Sequence, residues 1–267
     1  MKSSVEEITP LIGTAMDGGY YAGRIKIRDQ VYALIVAPKA EGELNDTAWI
    51  DDYKDVPDAK SYCDGQANTM AMAEAGSKLA LWALNLNIVG HADWYLPSQD
   101  EMEILYRNLK PTTRKNEQWG RSGINVSAVL PTYPYTPELP LQTSAELFQE
   151  GNAQAFEEAW YWSSTQHASD SDSAWSQDFL YGYQSDYLNL VVPRQSPRRP
   201  QITHLTLYQF LRSNHEQSQS AMDQRKPQEG RTVRRHPARP RRPARPAHHP
   251  AARRGRERHL ESSPGLR

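Results

Sequence analysis

The chain has 267 residues, 38% of them hydrophobic, and a formal net charge of -1 at neutral pH. That length admits one large domain or two small ones. Cys63 is the sole cysteine, which excludes an intramolecular disulfide and a cysteine-based metal cluster.

The near-zero charge conceals two opposite regions. Residues 1–194 carry 14 Lys+Arg against 27 Asp+Glu, a balance of -13, whereas residues 195–267 carry 17 against 5, a balance of +12. All seven Trp and 13 of the 14 Tyr precede position 195. The first region has the aromatic area for a core. The second lacks the apolar surface to offset its ordering entropy and is expected to be a mostly disordered Arg/Pro-rich tail. Met1–Glu7 holds no apolar signal core, and no run of about 18 apolar residues exists to span a membrane. Cytoplasmic synthesis without a signal peptide is therefore expected, and export on a virion released by lysis stays open.

In chain order, Gly18–Ile27 and Gln30–Val36 are rich in β-formers, and Arg28-Asp29 can link them as a hairpin. A helix is expected over about 66–86, with Met70, Ala73, Ala80, Ala83 and Leu86 as its apolar stripe, ended by Gly90-His91. Ser98 and Glu101 form a capping box. Met102, Leu105, Tyr106 and Leu109 then follow at helical spacing as a packed face, and Pro111 stops that helix. Residues 111–142 read as a long insertion. Pro131, Pro134, Pro137 and Pro140 favour an extended path across the surface. Thr143-Ser144-Ala145-Glu146 offers a second capping box, opening a short helix toward Glu158. The segment 160–192 is strand-rich. Ile202–Leu211 fits either a short amphipathic helix or a strand.

The most telling stretch is Trp160–Thr165 followed by Ala174–Gln184, where large aromatics alternate with small polar residues. Trp175, Gln177, Phe179 and Tyr181 share one parity; Ser176, Asp178 and Leu180 share the other. Period two predicts one packed face and one presented face. Ser, Asp and Tyr grip ligands and catalyse little, so this points to binding.

Catalytic and metal chemistry finds little support. An acid beside Cys63, Asp64, disfavours a thiolate. His91 and Asp93 fit turn chemistry better than a metal pair. His167 near Ser163-Ser164-Thr165 lacks the glycines of a nucleophile elbow. Ser169–Ser173 could offer oxygens to calcium, but it lacks the glycine and terminal glutamate of an EF-hand and reads as a polar loop tip. No catalytic residue, metal site or cofactor is assigned. Eleven arginines lie between 231 and 258. Without interleaved aromatics, such a run implies weak, nonspecific nucleic-acid contact.

Three groups of residues, Asp93–Met102, Tyr161–Thr165, and Ala174–Gln177 with Phe179, Gly182 and Gln184, together resemble Lcl C-terminal-type domains. The resemblance covers roughly residues 10–192. It implies an α+β, C-type-lectin-like fold for that region, and the basic tail read from composition follows it. Some members are similar to the variable proteins of diversity-generating retroelements, in which adenine-directed errors rewrite codons near the end of the fold. The matching positions here are Ser169, Asp170, Ser171, Asp172, Ser173, Ser176, Asp178, Leu180, Tyr181, Tyr183, Ser185, Asp186, Tyr187 and Asn189. Asparagine codons altered at adenines yield these residue types. What the resemblance implies is a phage or prophage receptor-binding or tail-associated protein. Its partner would be a host-surface protein or glycan, and contact with tail components or self-association stays open. Tyr supplies broad contact area at low entropy cost, and Ser adapts its hydrogen bonds. The same fold class includes formylglycine-generating-type enzymes, whose chemistry needs cysteines or a histidine-carboxylate iron site. One cysteine and two histidines before position 195 speak against that. Pro193 departs from the family pattern, being poorly suited to a closing strand. A shift of reading frame near this point would also account for the arginine-rich composition that follows.

Overall fold

A computed structural model describes residues 9–189 and the backbone of two further strands, Ile202–His204 and Tyr208–Arg212. Pro193 and, apart from those two strands, the expected tail lie outside the described residues.

The hairpin forms where β-propensity places it. Strand β1 is Ala15–Met16, β2 is Gly19–Ile27 and β3 is Gln30–Val36. Ile27 pairs with Gln30, so Arg28-Asp29 is the whole link. The described segment Tyr208–Arg212, strand β9, adds antiparallel to β3.

The single helix expected over 66–86 is two helices. After the short helix α1, Lys39–Gly42, come α2, Gly65–Glu74, and α3, Lys78–Leu84. Gly76 breaks the chain between them at φ +96°, a left-handed conformation that glycine adopts cheaply. Ser77 then caps α3: its Oγ accepts the Ala80 amide and donates to the Trp49 carbonyl at 2.6 Å. Within α2 Asn68 and Met72 are buried, and Met70 is 53% exposed rather than packed.

Helix α4, Gln99–Leu109, begins at the predicted capping box. Glu101 Oε2 accepts the Ser98 amide at 2.6 Å, and Oε1 accepts the Tyr95 hydroxyl at 3.0 Å. Gly65 is required beside it, because a Cβ there would lie 2.3 Å from Glu101 Oε2. Every α4 residue is buried, not one stripe alone. The insertion covers the polar face. Ser127 and Arg121 bond the Asp100 carboxylate, the Gly123 amide bonds Glu103, and Glu103 pairs with Arg107.

The insertion contributes a short strand β4, Ala128–Val129, paired to β2. Its two ends meet at the buried Lys110. The Lys110 ammonium donates to the Arg114 carbonyl, to Asn116 Oδ1 and to the Pro140 carbonyl. The short helix expected from Thr143 toward Glu158 is absent. Thr143 Oγ1 donates to the Asn108 carbonyl at the end of α4, and only a 3-10 turn, Glu146–Phe148, forms.

Strands β5, Trp160–Gln166, β6, Ser173–Asp178, and β7, Gln184–Leu188, form a second sheet with β8, Ile202–His204, in the order β7-β6-β5-β8. The segment that fitted either a helix or a strand is thus strand at its described residues. Two cores result. One joins Trp49, Trp94, Trp160 and Trp162 to α2 and α3. The other joins α4 to Tyr161, Phe156 and Phe179. The architecture is α+β. Among the described residues no helix is long and apolar enough to cross a membrane.

Burial raises the Glu101 pKa to about 8, above the usual glutamate value of about 4.5, outweighing its hydrogen bonds. The folded state therefore holds this proton more tightly than the unfolded chain. The resulting stabilisation is complete below about pH 4.5 and lost as pH rises through about 8. Urea melts from pH 5 to 8 should show stability falling with pH. The fall should be smaller in Glu101→Gln; an unchanged slope would remove Glu101 as a source.

Candidate ligand-binding face

The site begins with the row of hydroxyls on β5. Ser163 Oγ donates to the Trp175 carbonyl at 2.9 Å, the Ser164 amide donates to the Pro97 carbonyl at 2.7 Å, and Thr165 Oγ1 accepts the Gln99 amide at 3.0 Å. Thr165 also donates to the Ser61 carbonyl at 2.8 Å. Small side chains are needed here because the strand runs against the start of α4. This contact physically couples the Leu96-Pro97-Ser98 and Trp162-Ser163-Ser164-Thr165 motifs.

Residues paired across strands share a face. Tyr161, Gln177 and Gln184 align across β5, β6 and β7 on the side facing α4. Gln99 and Gln184 exchange two hydrogen bonds, at 2.9 and 3.0 Å. Gln177 Nε2 donates to the Gly182 carbonyl. On the opposite side Trp160 and Trp162 pack with Ala174, Tyr183 and Tyr187.

The turn between β6 and β7 is built on Asp178. Its Oδ1 and Oδ2 accept the amides of Leu180 and Tyr181, each at 3.0 Å. Gly182 closes the turn at φ +83°, and a Cβ there would lie 2.1 Å from the Tyr106 ring. Burial raises the Asp178 pKa to about 6, opposed by its two amide bonds and reinforced by the charges of Glu117 and Glu158.

The expectation of one packed and one presented face is corrected. All six residues of β6 are buried, because α4 and the insertion cover one side and the tryptophan core the other. Four of the candidate residues are therefore structural. Ser173 donates to Asp170 Oδ2, Ser176 donates to the Ser185 carbonyl, Asp178 holds the turn, and the Asn189 amide group donates to the Ser171 carbonyl. Ser169, Asp170, Asp172 and Asp186 are exposed; Ser171, Leu180, Tyr181, Tyr183, Ser185 and Tyr187 are half-buried.

These outward residues form two groups, one at each end of β6. The 169–172 loop lies beside Leu188, since Ser173 pairs with Leu188. The 180–183 turn lies at the other end, roughly 20 Å away for a six-residue strand. Ser185, Asp186 and Tyr187 run between them on β7. In the loop, Asp170 bonds the Ser173 hydroxyl and the Asp172 amide, which lower its carboxyl pKa. Its oxygens thus serve the loop's own turn. Among the described residues no group of three or more His, Cys, Asp or Glu side chains is placed to hold a metal ion. Cys63 is half-buried, and desolvation raises its thiol pKa, with Asp100 and Glu101 adding to the effect.

Two features of the face are missing from the sequence reading. Trp160 carries the half-buried tyrosines: its ring meets Tyr183 at 5.1 Å and Tyr187 at 4.8 Å, both edge-on. The insertion also borders the hairpin. The Glu117 amide donates to the Tyr181 carbonyl at 2.8 Å, Ser122 Oγ accepts the Gln184 amide at 2.9 Å, and Trp119 is 69% exposed. The long separation in sequence hides this contact.

Compared with known proteins, the chain matches no family model, and no curated protein or solved structure shows significant similarity to it.

Replacing Asp178 with alanine should unlock the turn. Loss of two amide bonds to a buried carboxylate should lower stability by about 2 kcal/mol. Hydrogen exchange should accelerate at the Leu180 and Tyr181 amides and stay slow in α4. Uniform acceleration would mean that the turn is not an independent unit.

Proposed function

We propose that this chain is a ligand-binding protein of C-type-lectin-like fold and not an enzyme. Its binding surface is the 180–187 hairpin with the neighbouring 169–172 loop. The observation that carries this reading is the division within the hairpin. Gln177, Asp178 and Gln184 are committed to buried hydrogen bonds, while Tyr181, Tyr183, Ser185, Asp186 and Tyr187 retain exposure on the same short segment. Rigid support beneath amphipathic aromatics favours binding, because little side-chain entropy is lost on contact. The residues also match the positions rewritten in retroelement-diversified variable proteins. On this reading the protein is a receptor-binding or tail-associated component of a phage, its partner is a host-surface protein or glycan, and multivalent display raises its avidity.

Sequencing the encoding locus across individuals tests this. Variation should gather at codons 169–172, 180, 181, 183 and 185–187 and spare Ser173, Ser176, Asp178, Gly182, Gln184 and Asn189, which are enclosed. Even variation along the chain would leave a fixed binder. Alanine at Tyr181 and Tyr183 should then weaken attachment to a host-cell or glycan panel by about tenfold or more, within the range of aromatic interface anchors. Unchanged attachment with a native thermal melt would move the site elsewhere.

A further inference from the structure

The chemistry of the hairpin indicates what kind of partner it takes. Trp160, Tyr183 and Tyr187 form one ring group, with Tyr183 and Tyr187 half-exposed. Aromatic faces carry negative potential and attract cations. Two other rings in this fold hold cations: Lys110 Nζ lies 5.9 Å from the Tyr106 ring centre and the Arg121 guanidinium 4.0 Å from that of Tyr62. Among the described residues no cation lies over Trp160, Tyr183 or Tyr187.

Carboxylates reinforce that potential. Asp178 sits opposite Trp160 across the strands, and its amide donates to the Tyr183 carbonyl at 3.0 Å. Glu117 is exposed, held beside the turn by its amide bond to Tyr181, and in no ion pair among the described residues. Glu158 is paired with Arg114 at 3.2 Å, which takes up the nearby positive charge. Burial raises the Tyr183 phenol pKa, and the charges of Asp178 and Glu117 add to that effect. The partly exposed rings of Tyr183 and Tyr187, backed by the buried Trp160 and beside an unpaired carboxylate, complement a positive side chain.

Building on the ligand-binding reading, we propose that the Tyr183 and Tyr187 rings, held from beneath by Trp160 and with Glu117 beside them, dock a lysine- or arginine-bearing segment of a partner protein. Complementarity of this kind selects partner and register, and it weakens with salt at its exposed rim.

Calorimetric titration of the full chain with octalysine, and with an uncharged glycine-serine octapeptide, tests the proposal. Octalysine should bind, the neutral peptide should not, and raising salt from about 0.05 to about 0.3 M should weaken binding. Glu117→Gln and Tyr183→Leu should each weaken octalysine binding about fivefold, whereas Tyr183→Phe, which keeps the ring, should not. Glu146→Gln, at an exposed carboxylate elsewhere, should leave it unchanged. Absence of octalysine binding, equal loss in Glu146→Gln, or indifference to both Glu117→Gln and Tyr183→Leu would overturn the proposal. Glu117 is exposed, so its variant remains informative should Tyr183→Leu misfold. A partner that needs Tyr181 yet is not displaced by octalysine would sink the charge preference and leave the binding surface standing.

Discussion

Thr165 occupies the point on which the rest of the fold turns. Its hydroxyl satisfies the Gln99 amide in the first turn of α4 and the Ser61 carbonyl before α2. A helix start buried away from water must find partners for its free amides. Ser98 and Glu101 supply some from within the helix; β5 supplies another from outside it. That cross-connection fixes α4 against the second sheet. Gln99 can then reach Gln184, and the hairpin beyond Gln184 is held relative to the helix. The position of the outward tyrosines descends from this chain of polar contacts as much as from apolar packing.

What the sequence made legible follows from how local each determinant is. The first hairpin and the α4 capping box depend on neighbours within a few residues, and both are present where the pattern places them. The break at Gly76-Ser77 was equally local, a left-handed glycine before a capping serine, but an alanine-rich stripe masked it. Thr143 shows the opposite case: its hydroxyl is drawn to the end of α4, a tertiary demand that the local pattern does not contain. The strand alternation around Trp175 correctly marked β6. It could not reveal that a segment more than fifty residues earlier covers the second face, with Gly120 against the Trp175 ring. Likewise Ser173, Ser176, Asp178 and Asn189 have the composition of a binding surface and the burial of a core. Composition alone does not separate the two.

Fixed and outward residues therefore alternate along 181–185, between the buried end of β6 and the outward residues of β7. Asp178 holds the amides of Leu180 and Tyr181 while Tyr181 remains partly open, and Gln184 is locked while Ser185 beside it is not. A strand permits this because adjacent side chains answer to different surroundings. The support beneath each outward residue comes from its immediate neighbours, so changes at one need not propagate to the next.

The anchoring of the insertion at Lys110 bears on how this fold could change over time. One ammonium gathers the Arg114 carbonyl, Asn116 and the Pro140 carbonyl, so both feet of the excursion are fixed independently of what lies between. Beyond such a clasp, the penalty for extra chain is logarithmic, about 0.6 kcal/mol for each doubling of loop length. The outer stretch 130–134, largely exposed, is thus where this architecture tolerates growth and shrinkage. Novelty could arise there through indels, alongside a hairpin whose own length is dictated by its pairing.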